Sequence, residues 1–163
     1  MARTLILMRH GKSAYPAGVE DHERPLAPRG RREAALAGDW LRSTQPPIDA
    51  VRCSTATRTR ETLTATGIDA PVRFESGIYE AGAEYLVELV GRTDPAVSTL
   101  LVLGHVPGMP WAAWDLAAVH DTDDALRLSR KFPTSALAVL RFTGGWDEVG
   151  PASGDLVTFH VPR

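Results

Sequence analysis

Thr4-Leu5-Ile6-Leu7-Met8-Arg9-His10-Gly11 decides how the rest of the chain is read. Its Leu-Ile-Leu-Met centre is continuously apolar and lacks the polar alternation of a strand with one wet face. Such a run suits a strand buried on both sides, as in a parallel sheet covered by helices. It ends abruptly on a charged pair. Further along, Thr99 to Leu103 repeats the pattern and ends in Gly104-His105. Val51 to Ser54, Pro71 to Glu75, Ala136 to Phe142 and Leu156 to Val161 are the remaining strand candidates.

Between these runs the apolar spacing becomes helical. In Gly30 to Ser43, Ala34, Ala37 and Leu41 share one face while Arg31, Arg32 and Asp39 face water. Ala83, Leu86, Val87 and Val90 do the same, and Gly91 follows as a stop. Thr57 to Thr66, Met109 to Val119 and Asp123 to Arg130 are further helices. Strands alternating with helices predict an α/β fold with a mainly parallel central sheet. With 163 residues and no internal repeat, low-complexity tract or linker, residues 1–163 are expected to form a single domain.

Composition narrows the function. A net charge of −2 argues against a nucleic-acid or anionic-membrane binder. The apolar run at the start is too short for a signal-peptide core, and no stretch approaches a membrane span. A soluble, cytoplasmic protein is expected. The single cysteine, Cys53, cannot make an internal disulfide. Of 18 basic residues only Lys12 and Lys131 are lysines, so 16 are arginine. Arginine grips phosphate and carboxylate in bidentate fashion.

Open α/β sheets bind ligands beyond the carboxyl ends of their strands. Arg9-His10 ends the first run, Arg58 follows the second, and His105 ends the fourth. If those strands are parallel neighbours, two histidines and two arginines meet in one cationic crevice suited to phosphate.

The same residues carry a resemblance. Arg9-His10-Gly11 is similar to the RHG signature of the histidine phosphatase superfamily, the phosphoglycerate-mutase-like fold. Ser54 to Thr62 resembles its S-x-x-x-R-x-x-x-T motif, and Leu101 to Gly108 its second-histidine motif. Arg24-Pro25-Leu26 with Gly30, and the G-H-x-P-G run, resemble the SixA-type phosphohistidine phosphatases. The resemblance covers nearly the whole chain, in order, and implies a three-layer α/β/α architecture.

It also implies roles. His10 resembles the nucleophile that takes the phosphoryl group as a covalent phosphohistidine, which water then hydrolyses. Neighbouring cations should keep it neutral. Arg9 and Arg58 resemble the guanidiniums that hold the phosphoryl oxygens, and His105 a donor opposite His10. The fixed cations take the part a magnesium ion would play, so no metal and no cofactor is expected. Ile78-Tyr79-Glu80 resembles the family's L-x-E pattern, making Glu80 the candidate acid, with Glu75, Asp21 and Glu20 as alternatives. Ser13 is a candidate phosphate ligand or a loop cap.

Other residues have blander readings. His22 is expected as an exposed loop residue, His120 and His160 as structural or exposed, and Arg60 as a surface arginine. Trp111 and Trp114 are expected in the core. Cys53 and Arg58 have one residue too few between them for a cysteine-phosphatase loop, so Cys53 reads as a buried strand residue. Only 46 residues separate Arg58 from His105, which favours an open pocket and a bulky substrate. The expected partner is therefore a phosphorylated protein bearing phosphohistidine. A small phosphate ester (of a sugar or nucleotide) and a non-catalytic phosphate-binding module are the alternatives.

Overall fold

The computed structural model describes residues 2–163. Six strands form one sheet: β1 (Ala2–Arg9), β2 (Ala50–Ser54), β3 (Val72–Glu75), β4 (Thr99–Gly104), β5 (Leu137–Thr143) and β6 (Asp155–His160). Five α-helices connect them: α1 (Pro28–Thr44), α2 (Thr57–Thr66), α3 (Ala83–Gly91), α4 (Gly108–Leu116) and α5 (Asp123–Arg130). The strand order is β3-β2-β4-β1-β5-β6.

The two apolar runs lie side by side at the centre. β1 pairs with β4 in parallel, Leu5 opposite Leu100 and Arg9 opposite Gly104. Their side chains divide by the two-residue strand period. Leu5, Leu7, Leu100 and Val102 enter one core with Leu86, Leu89 and Val90 of α3 and Met109, Ala112 and Leu116 of α4. Ile6, Met8, Leu101 and Leu103 enter the other with Ala37 and Leu41 of α1 and Leu63 of α2. Two buried faces explain the lack of alternation, and the sandwich is three-layered, α/β/α.

β5 corrects the expectation drawn from apolar runs. Leu137 to Leu140 are fully buried, yet β5 runs antiparallel to β1, as β6 does to β5. Burial on both faces sets the apolar run, and strand direction leaves no mark on it. β2, β3 and β4 do run parallel, so the sheet is mainly parallel. The reversal has a use. It brings the segment before β5 to the carboxyl end of β1, where Ser135 N–H donates to the His10 carbonyl and Arg9 N–H to that of Ala136.

α4 ends at Leu116, three residues before the expected Val119, because Ala117 bridges to Gly154. No helix among the described residues is long and apolar enough to cross a membrane.

Gly30 fixes where the loop after β1 lies. A Cβ there would stand 2.2 Å from the Lys12 carbonyl oxygen and 2.9 Å from its nitrogen. Backbone cannot yield like a flexible side chain. Gly30→Ala should therefore cost about 1–3 kcal/mol, read as a lowered urea midpoint with unchanged m-value.

Candidate active site

The sheet order places β2, β4 and β1 adjacent and parallel, so their carboxyl ends converge. Arg9 and His10 leave β1, Arg58 sits in the first turn of α2, and His105 follows β4. All four line one cavity of about 210 Å³, with Ser13 and Lys12 at its side.

His10 is buried, its ring centre 5.2 Å from that of His105. Its Nδ1 lies 2.7 Å from the Gly11 carbonyl oxygen. A carbonyl only accepts, so Nδ1 carries the proton and Nε2 keeps its lone pair. Burial pushes the His10 pKa down to about 3, with His105, Arg9 and Arg58 adding smaller repulsions. The ring is neutral as expected, but desolvation leads and the cations follow.

His105 is neutral for the same first reason, its pKa pushed down to about 4 by burial and then by Arg58. Its tautomer is set by Ser54. The Ser54 hydroxyl accepts from Ala56 N–H at 3.3 Å and meets His105 Nε2 at 2.8 Å. The hydroxyl proton has no other acceptor among the described residues, so it goes to Nε2, which leaves the ring proton on Nδ1. Nδ1 is buried with no hydrogen-bond partner among the described residues. Arg9 Nε and Arg58 Nε share that condition. Three unpartnered donors on residues lining one cavity, beside a free imidazole lone pair, suit a tetrahedral oxyanion.

The arginines are held by their outer nitrogens. Arg9 Nη1 donates to the Phe132 carbonyl at 2.9 Å. Arg58 Nη1 donates to the Asp21 carbonyl at 2.7 Å, and Nη2 to the Asp21 carboxylate at 3.1 Å. That carboxylate also accepts from Arg24 Nε at 3.0 Å and from the Tyr79 hydroxyl. These donors, Tyr79 first, hold it well below the usual carboxylate range, and the hydrogen bond to Asp21 in turn raises the Tyr79 pKa. Thr62, the last residue of its motif, accepts from Gly11 N–H at 2.9 Å and ties α2 to the loop after β1.

Other expected residues fall at the rim or elsewhere. The buried Ser13 hydroxyl accepts from Arg24 Nη1 at 2.7 Å, which makes it a support for that arginine. Glu80 is exposed, on the rim of a second cavity next to His105. Glu75 pairs with Arg52 at 2.8 Å, away from the site. Glu20 is exposed. His22 corrects the exposed-loop reading: it is half-buried, with Nε2 2.9 Å from Thr55 Oγ1 and its ring edge-on to Tyr79. Trp111 corrects the core reading, being 56% exposed, whereas the half-buried Trp114 packs against the core. Arg60 lies on the surface over Phe74, and Cys53 is buried with its thiol pKa raised to about 12. Ser54, Thr62, Asp21 and Tyr79 hold the site together. Ser54 and Thr62 had a signal, as fixed letters of the S-x-x-x-R-x-x-x-T motif.

Comparison with known proteins identifies the family. The family profile of the histidine phosphatase superfamily (branch 1) matches residues 5–96. Rv1276c, an uncharacterised protein of Mycobacterium tuberculosis, is 55% identical over 158 residues, covering 96% of this chain and all of its own. A Nakamurella multipartitia structure named for phosphohistidine phosphatase SixA superposes with TM-score 0.92 at 39% identity, covering 99% of this chain and 97% of that one. The protein histidine phosphatase SixA complexed with tungstate gives TM-score 0.72 at 25% identity, covering 98% and 97%. The chain belongs to the histidine phosphatase superfamily, branch 1. It is a phosphatase, with SixA-type proteins among its structural relatives.

Ser54→Ala should release the His105 tautomer. Imidazole nitrogen NMR should show the Nδ1–H share of His105 falling, and inorganic phosphate should bind about tenfold more weakly, the worth of one neutral hydrogen bond.

Proposed function

We propose that this enzyme hydrolyses protein phosphohistidine, taking the phosphoryl group onto His10 Nε2. The observation that carries the reading is the set of unpartnered donors on Arg9, Arg58 and His105, residues that line the same cavity as His10. They supply fixed charge and hydrogen bonds where charge develops in phosphoryl transfer. The Gly11 carbonyl holds the Nδ1 proton, so the phosphorylated His10 ring becomes cationic beside its dianionic phosphoryl group. Water then attacks phosphorus, and the His10–phosphorus electron pair returns to Nε2. Arg9, Arg58 and His105 grip the phosphoryl oxygens, with Ser13 orienting Arg24 beside them. No cofactor enters the cycle.

Phosphohistidine is favoured over an ester because its leaving imidazole needs little help. Asp21 is held ionised by Tyr79, Arg24 and Arg58, and so has no proton to give. Tungstate, a phosphate mimic, is bound by the SixA relative named above, which supports a phosphate-like oxyanion as the ligand. A cytoplasmic setting and a single domain over residues 1–163 complete the proposal.

A second reading rests on Glu80, whose place on the rim beside His105 suits an acid for an alkoxide leaving group. Glu80→Gln distinguishes the two. Hydrolysis of small phosphate esters is expected to fall about 100-fold if Glu80 is their acid, while phosphohistidine turnover changes less than about threefold. Trapping with labelled phosphohistidine protein, quenched in alkali, should label the native chain and leave His10→Ala unlabelled. Label in neither would overturn His10 as the nucleophile.

The His10 pKa gives a pH signature. Transfer needs the unprotonated ring, so the acid limb belonging to His10 lies near pH 3. Corrected for substrate ionisation, kcat/KM should stay within about twofold from pH 7 to 4.5, where an ordinary histidine would lose about 100-fold. A limb centred near the ordinary pKa of about 6.5 would contradict the assignment.

A further inference from the structure

The phosphoryl cavity shares a wall with the second one. Arg58, His105 and Val106 line both, and the second is the larger at about 390 Å³. Their chemistry differs. The first holds Arg9, Lys12, Arg24 and Arg58 and no carboxylate. The second is lined by Trp111, Pro107 and Tyr79 with the carboxylates of Glu80 and Asp21, and its one cation, Arg58, is bound to Asp21.

Trp111 stands out in this wall. Helix α4 buries Met109, Ala112, Ala113 and Leu116, and Trp111 lies off that stripe at 56% exposure. Val106, 41% exposed, lies on the same rim. Tyr79 sets its edge against the His105 ring, centres 5.5 Å apart. Gly82, also in the lining, leaves room, since a Cβ there would meet nothing within 4 Å. An aromatic plate and an acidic rim suit a flat group that is neutral or cationic. They disfavour a second anion.

We propose that this second cavity receives the substrate's phosphorylated imidazole, with Trp111 as the residue that binds the ring and selects a histidine-borne phosphoryl group. The proposal rests on the phosphohistidine reading above. Phosphohistidine has the division that the two cavities present: a dianionic phosphoryl group joined to a flat ring that is cationic when its other nitrogen is protonated. In that form the transfer balances. The bond from His10 Nε2 to phosphorus forms as the bond from phosphorus to the substrate nitrogen breaks. The electron pair stays on that nitrogen, and the ring leaves as neutral imidazole with its proton already on the other nitrogen. Trp111 holds the ring in line and is a specificity residue, touching the substrate without exchanging a proton.

The test compares native enzyme, Trp111→Ala and Trp111→Phe on two substrates. One is a phosphohistidine-bearing protein; the other is phosphoramidate, whose leaving group has no ring. Trp111→Ala should raise KM for the protein about tenfold with kcat within about twofold, as loss of an aromatic anchor does. Both constants for phosphoramidate should stay unchanged, and Trp111→Phe should recover most of the KM. Equal losses on both substrates, or an unchanged KM for the protein, would overturn the proposal while leaving His10 chemistry intact. Native enzyme that neither hydrolyses phosphohistidine nor becomes labelled removes the underlying reading, and this inference falls with it.

Discussion

The site depends on one register of the central strands, marked at their end by a single backbone contact: the His10 N–H donates to the Gly104 carbonyl at 3.1 Å. It extends the parallel ladder of β1 and β4 by one step beyond Arg9 and Gly104. His10 and the residue after Gly104 are thereby forced side by side, and that residue is His105. A slip of one residue would send His10 to the other face of the sheet. The two apolar cores prevent the slip, because Leu5 and Leu7 on one face and Ile6 and Met8 on the other would exchange places. Apolar burial in the sheet is thus what aligns two imidazoles at its end.

Charge is handled by the same economy of position. Four cationic side chains around one small cavity would repel one another if left unanswered. Asp21 answers two of them, Arg24 and Arg58, from the rim, leaving Arg58 Nε unpaired within. Carbonyls orient Arg9 and the neutral His10, that of Phe132 for the first and that of Gly11 for the second. Carbonyls orient a donor without cancelling its charge. The pocket therefore keeps a net positive field, while its histidines, desolvated, remain uncharged.

Much of this was legible in the sequence. Unbroken apolar runs in Thr4 to Met8 and Thr99 to Leu103 mark doubly buried central strands, and the polar residues that end them mark the site. What stayed hidden has physical reasons. The direction of β5 depends on how the chain returns, and burial on both faces looks the same for either direction. Trp111 reads as core by type, yet its place one residue off the α4 stripe sends it to solvent. Asp21 lies 37 residues from Arg58, and only the folded chain joins them. Ser54 was visible as a motif letter, but its control of a tautomer emerges only from the two contacts its hydroxyl makes.

The tie between Arg9 and Phe132 spans 123 residues. During synthesis Arg9 and His10 precede by more than a hundred residues both the carbonyl that aims Arg9 and Ser135, whose N–H braces His10. A growing chain holds His10 long before it holds the assembled pocket. The site is therefore closed by long-range contacts, and Arg9 and His10 stay unbraced until Phe132 and Ser135 have been made and folded back onto the end of β1.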